Sequence, residues 1–170
     1  HEFSELCREL PRVIADGYRK DYETLQARQG SGYSGDAGRV LGKDEEYVVC
    51  ALLHDIGDTL GSMNHPDVAA AILKPFVSEE NLWMVANHGI FQGYYFFEHL
   101  GLDRNMRDQF RYHPHFQRCA EFCHKYDQAA FDPDYKSEPL EFFEPMVARV
   151  FSKPKNSIYL RRKEGAESAA

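Results

Sequence analysis

The chain has 170 residues, long enough for one domain with a sizeable core that needs neither disulfides nor a structural metal. Its 43% hydrophobic and 28% charged residues exclude general disorder. Lys and Arg number 20 against 27 Asp and Glu, a net charge of -7, which speaks against a nucleic-acid-binding module and against an anionic membrane surface as partner.

The longest apolar runs, Val48 to Leu53 and Tyr94 to Phe97, are far too short to span a membrane. The chain opens on His1 rather than Met, which reads as a fragment or a processed chain, and nothing in it resembles a targeting peptide. Cys7, Cys50, Cys119 and Cys123 form no framework of a small secreted protein. They predict four reduced thiols and an intracellular setting, the cytoplasm or an organellar interior.

Three textures follow one another. Residues 1–42 combine a charged, helix-compatible segment, with Pro11 as a break or the first residue of a helix, and the connector Gln29 to Gly42, which carries five glycines and two serines. Residues 43–154 are the compact part, and residues 155–170 a tail that includes the short basic patch Arg161-Arg162-Lys163. Within the compact part, Asp44 is placed to cap a helix that runs from Glu45 to Asp55 and ends at Gly57. Pro66 opens a second helix, Asp67 to Leu73, stopped before Pro75. Ser78 caps a third, which reaches His88 and stops at Gly89. Phe91 to Leu100 predicts a separate aromatic helix ending at Gly101, and Arg104 to Tyr112 a short polar segment. Pro114 opens a long helix through Asp127, and Glu138-Pro139 the last, Leu140 to Phe151. Alternation of period two is nearly absent, so the predicted class is all-α.

One helix ends in a way a plain core does not explain. In Ala51-Leu52-Leu53-His54-Asp55-Ile56-Gly57-Asp58, Asp55 falls on the apolar stripe of Val48, Ala51 and Leu52. A carboxylate on a buried stripe is costly unless it is paired or bound to a cation. An imidazole beside it can supply a nitrogen ligand. The plain alternative is a surface histidine next to a helix cap. His65 stands at the mouth of the second helix and His88 near the end of the third. Asp127 repeats the buried-stripe carboxylate beside Phe116, Ala120 and Cys123. Five such groups at element ends can converge in a helical bundle and bind metal. A competing zinc reading uses Cys119 and Cys123, one helical turn apart, with His115 and His124. Gly30-Ser31-Gly32 lacks the Lys-Ser/Thr of a phosphate-binding loop. The run Tyr94-Tyr95-Phe96-Phe97 suits core packing or the wall of a pocket.

His54-Asp55 followed by His65, His88 and Asp127 resembles the metal-ligand pattern of the HD-domain superfamily, all-α metal-dependent enzymes that are mostly phosphohydrolases. The longer stretches Tyr47 to Asp58, Asn87-His88-Gly89, Tyr126-Asp127-Gln128 and Phe131 to Tyr135 look like a branch often labelled predicted HD phosphohydrolase. That branch is similar to the diiron oxygenases that cleave carbon–phosphorus bonds and, more distantly, to inositol oxygenase. The resemblance covers about residues 43–154. It implies an HD-domain helical bundle in which Asp55 bridges two irons, His54 and Asp127 ligate the first, and His65 and His88 the second. Iron is the expected metal, before manganese or zinc.

The family supplies a further histidine from the preceding helix. Here no histidine lies between His1 and His54, and Glu23 stands at the matching place as a possible oxygen ligand, with a solvated helix carboxylate as the alternative. Where phosphonate-cleaving members carry basic or imidazole groups, this chain has Asp58 and Gln92. These are the expected pocket residues, and they argue against a phosphonate. Two kinds of function follow. One is an enzyme acting on a small hydroxylated molecule, a diiron oxygenase or otherwise a metal-dependent phosphohydrolase. The other is a non-catalytic subunit of a protein assembly that keeps a reduced metal site.

Overall fold

The computed structural model describes residues 43–132, 134, 138–157 and 160, and every regular element among them is helical. The predicted N-terminal helix, the Gly-rich connector, Cys7 and Glu23 lie outside the described residues, as do Pro133, Tyr135 and the basic patch. Six α-helices follow in order: α1 Glu45–Leu53, α2 Asp58–Gly61, α3 His65–Leu73, α4 Glu79–Phe96, α5 Phe116–Phe122 and α6 Leu140–Phe151. Short 3-10 segments, Ser62–Asn64, Phe97–Leu100, Arg104–Phe110 and Gln128–Phe131, join them.

Local chemistry sets most of the boundaries. Asp44 caps α1 by accepting from the Tyr47 amide at 2.9 Å, and Ser78 caps α4 by accepting from the Asn81 amide. Pro66 occupies the first turn of α3, where its missing N–H costs nothing. Gly101 ends the Phe97–Leu100 turn with φ of 72°, a left-handed conformation that favours glycine.

The structure differs from three expectations in detail. Gly89 does not stop the third helix; α4 runs through it to Phe96 and absorbs most of the aromatic segment predicted as separate. A glycine in mid-helix costs about 1 kcal/mol in propensity, yet a Cβ there would stand 3.2 Å from the Pro66 ring. The missing side chain lets α3 start close against α4. The helix predicted through Asp127 does continue that far, but after Phe122 it changes from α to a π turn, Cys123–Asp127. Finally, the HD helix ends at Leu53, so Asp55 sits in the turn beyond it, and the extra helical turn α2 follows.

The core forms around α1 and α4. Every residue from Tyr47 to Leu53 is buried, so α1 is apolar all round rather than on one stripe. It packs between α4 and α6, while α4 also carries α3, α5 and the Arg104–Phe110 segment. Phe91, Phe122, Phe143 and Phe151 fill the interior, and Tyr47 meets Phe122 and Tyr126 edge-on. Cys50, Cys119 and Cys123 are buried free thiols. Cys119 donates to the Met84 carbonyl and Cys123 to the His88 carbonyl, each at 3.5 Å, tying α5 and the π turn to α4.

Glu46 fixes the far end of α1. Its Oε1 accepts from the Ser78 amide at 2.6 Å and from the Asn81 side chain at 2.8 Å, and its Oε2 pairs with Lys155. Arg118 donates to the Asn81 carbonyl oxygen at 2.6 Å and lies over the Tyr47 ring. The amides of Lys155 and Asn156, at the start of the predicted tail, both donate to the Pro75 carbonyl.

Burial pushes the Glu46 carboxyl up, but Lys155 and the Ser78 and Asn81 donors outweigh it and hold the group down to about 2. In the unfolded chain Glu46 takes up its proton near 4.5, so its stabilisation is complete above that pH and is lost as pH falls from about 4.5 to about 2. Glu46→Ala should lower stability by about 2 kcal/mol at neutral pH. Urea unfolding between pH 7 and 3 should show the gap between wild type and variant narrowing with acid; a gap independent of pH would contradict this role for Glu46.

Candidate metal centre

The HD turn is set by where α1 stops. His54 continues in right-handed helical geometry, and its Nδ1 donates to the Ala51 carbonyl at 2.7 Å. His88, in mid-α4, repeats the device, with Nδ1 donating to the Val85 carbonyl at 2.7 Å. A carbonyl only accepts, so each ring keeps its proton on Nδ1 and turns Nε2 inward. His65, the first residue of α3, comes in from the side. Its approach depends on Gly57, where a Cβ would lie 2.4 Å from the His65 carbonyl oxygen and 2.8 Å from its Cα.

Asp55 is the centre of the cluster, and its two oxygens face different partners. Oδ1 lies 3.1 Å from His88 Nε2 and 3.3 Å from His65 Nε2, which are 3.1 Å from each other. Oδ2 lies 3.1 Å from His54 Nε2, which is in turn 3.9 Å from Asp127 Oδ1. His54, His88 and Asp127 are buried, whereas the Asp55 and His65 side chains are 20% and 24% exposed. Asp55 is therefore less enclosed than its place on a helical stripe predicts, because it stands in the turn.

The charges are strongly coupled. Burial pushes the Asp55 carboxyl up, but His54 first, then His65 and His88, overcome this and hold it well below the usual carboxylate range. Burial pulls the His54 imidazole down, and Asp55 and Asp127 more than reverse it. The hydrogen bond to Asp55 raises His65 against a smaller effect of burial.

These donors fit a divalent transition cation. An ion about 2.0–2.1 Å from each ligand atom, in octahedral or tetrahedral geometry, puts those atoms about 2.8–3.4 Å apart. Asp55 Oδ1, His65 Nε2 and His88 Nε2 already stand at 3.1 to 3.3 Å. The other side, with Asp55 Oδ2, His54 and Asp127, is more open. There Asp127 Oδ2 is buried with no hydrogen-bond partner among the described residues, a cost that a cation removes. His54, Asp55 and His88 also offer one ligand atom each within 4.8 Å of one another.

The five predicted ligands are thus gathered at one point. Glu23, the suggested sixth, lies outside the described residues. Asp58 and Gln92 both line the cleft that opens over the cluster. Asp58 Oδ1 is 3.1 Å from His65 Nδ1, while Gln92 is buried and donates from Nε2 to Gln128 Oε1 at 3.1 Å. Gln92 Oε1 has no hydrogen-bond partner among the described residues. The zinc alternative is not assembled: the two thiols face helix carbonyls, His124 Nδ1 is 3.0 Å from the Tyr95 hydroxyl, and His115 lies beside Trp83 and His113.

The cleft has a volume of about 500 Å³. Phe96, Phe97, Phe131 and Met63 form its apolar wall, and no Lys or Arg lines it among the described residues. Only half of the aromatic run reaches it. Tyr94 instead lies beneath Arg104 and Arg107, and Tyr95 packs against His124. Sequence reasoning missed the partnership of Gln92 with Gln128, the Phe122 ring set edge-on at 5.1 Å from His54, and the place of Gly57. Gln128 directly follows Asp127, so its neighbourhood was open to inspection; the approach at Gly57 is a tertiary contact with no local signal.

No family model matches the chain, and no curated protein matches it.

Gly57→Ala should cost about 1–3 kcal/mol, the usual penalty of overpacking, because the added carbon meets backbone. Gly61→Ala should cost less, since its Cβ meets the Asn64 side-chain oxygen at 2.9 Å, the end of a side chain that can turn away. Urea denaturation of the two variants checks the order, and equal costs would contradict it.

Proposed function

We propose that this chain is an HD-domain metalloprotein whose centre holds two divalent cations bridged by Asp55, with iron preferred, and that it acts on a small hydroxylated substrate in the cleft above them. The observation that carries the reading is the division of the Asp55 carboxylate: Oδ1 faces His65 and His88, and Oδ2 faces His54, with Asp127 beyond. A single cation needs no such division. Imidazole and carboxylate donors without thiolate suit iron or manganese. Such a pair of cations supplies Lewis acidity and, when it is iron, redox chemistry with dioxygen.

The chain's own residues do the rest. His54, His65 and His88 present fixed Nε2 atoms, and Asp127 brings the second carboxylate. Phe96, Phe97 and Phe131 give one side of the cleft an apolar wall. Gln92 offers a buried acceptor, Oε1, to a hydroxyl donor on the substrate. Among the described residues no Lys or Arg lines the cleft to pair with a phosphate or phosphonate, which favours a neutral, hydroxylated molecule. Each cation would then have three ligands from the described residues, His54, Asp127 and Asp55 for the first and His65, His88 and Asp55 for the second.

Elemental analysis and oxygen uptake test this together. Iron-loaded protein should carry close to two metal ions per chain and consume oxygen with a polyol. Phosphate release from a phosphomonoester without oxygen uptake would support the hydrolase reading instead, and bound metal with neither activity the assembly-subunit reading. Asp55→Ala should lose both ions. His88→Ala should lose the second and retain the first, and loss of both in that variant would contradict the division of ligands.

A further inference from the structure

His65 differs from the other two histidines in how it is held. His54 and His88 each donate from Nδ1 to a backbone carbonyl three residues back, at 2.7 Å. The corresponding contact of His65, to the Ser62 carbonyl, is longer at 3.2 Å, and the Asp58 carboxylate stands nearer at 3.1 Å. On the opposite edge of the ring, Nε2 faces Asp55 Oδ1 at 3.3 Å. The imidazole is therefore gripped between two carboxylates three residues apart in the chain. The spacing has a backbone cause: the Asp58 amide donates to the Asp55 carbonyl at 2.9 Å, closing one tight turn that sets both side chains toward His65. Gly57, inside that turn, lets the His65 backbone come close enough to enter the grip.

We infer that Asp58 is a positioning residue for the second cation, holding His65 by Nδ1 so that its Nε2 faces the point shared with His88 and Asp55 Oδ1. This rests on the two-cation reading above, and it replaces the expectation that Asp58 serves the substrate. A carboxylate behind a ligating imidazole fixes its tautomer and ring plane and makes the ligand nitrogen a better donor. His54 and His88 need no such side chain, because the helix that carries each already supplies the acceptor. His65 opens its helix, and its nearest backbone acceptor sits in the loose Ser62–Asn64 turn. The Asp58 side chain is 30% exposed, so its removal leaves no large cavity.

The test is a titration of metal-free protein with Co²⁺ against a competing chelator, for wild type, Asp58→Ala and Asp58→Asn, with thermal unfolding of each metal-free form as control. The expected result is two cobalt sites in wild type. In Asp58→Ala one of them should weaken by about 10–100-fold, the usual effect of losing such a support, while the other changes by less than about threefold. In Asp58→Asn the side-chain carbonyl still accepts from Nδ1, so at least half of the loss, on a logarithmic scale, should be recovered. Cobalt affinities of Asp58→Ala within about threefold of wild type at both sites would overturn the assignment, as would equal weakening of both or an Asn variant no better than Ala. Wild type that binds no cobalt would overturn the two-cation reading itself, and the support role with it.

Discussion

Two carboxylates and three imidazoles meet where the bundle closes, and the rest of the fold is arranged around the cost of taking them out of water. Asp127 is almost fully enclosed and Asp55 largely so. An isolated carboxylate in such a place would neutralise itself by taking up a proton. Here the opposite holds for Asp55: three imidazoles within 3.3 Å keep its carboxyl well below the ordinary range. The same carboxylate and the imidazole nitrogens turned toward it are the groups a cation would use.

Holding so many charged groups at one point takes a rigid frame. The apolar helix α1 supplies it by being buried along its whole length from Tyr47. Its beginning is fixed by Glu46 to the cap of α4, and its end delivers His54 and Asp55. The helix α4 delivers His88 and, through the Cys123 thiol bonded to the His88 carbonyl, holds the π turn that brings in Asp127. Close backbone approach does the remainder: Gly57 admits His65, and Gly89 admits Pro66 beside it. Neither glycine has positive φ. Both are needed for space.

Much of this was readable in the sequence, and the division between what was and what was not has a physical basis. Caps are local: Asp44 and Ser78 accept from amides three residues ahead, and Pro66 and Gly101 act through their own dihedral preferences, so each could be placed from its neighbours alone. Gly89 misled because its local propensity points one way and its packing partner, 23 residues earlier in the chain, the other. The π turn Cys123–Asp127 was not legible because Phe116, Ala120, Cys123 and Asp127 are spaced as on an ordinary α-helix. Among the site residues, Asp55 and Asp127 stood out because carboxylates on apolar stripes conflict with local rules, and His54, His65 and His88 because they stand beside them or at element ends in a pattern that resembles a known ligand set. The role of Asp58 did not, because a carboxylate that begins a short exposed turn looks like any other. The all-α class followed from periodicity, and the helical elements of the described residues agree with it.

Crystals of the protein soaked in Fe²⁺ without oxygen and measured at the iron absorption edge would test the bridging role of Asp55 most directly. Two anomalous peaks should flank its carboxylate, one within ligand distance of Oδ1, His65 and His88, the other within ligand distance of Oδ2, His54 and Asp127. No peak beside Asp55, or a single peak served by only one of its oxygens, would contradict the account.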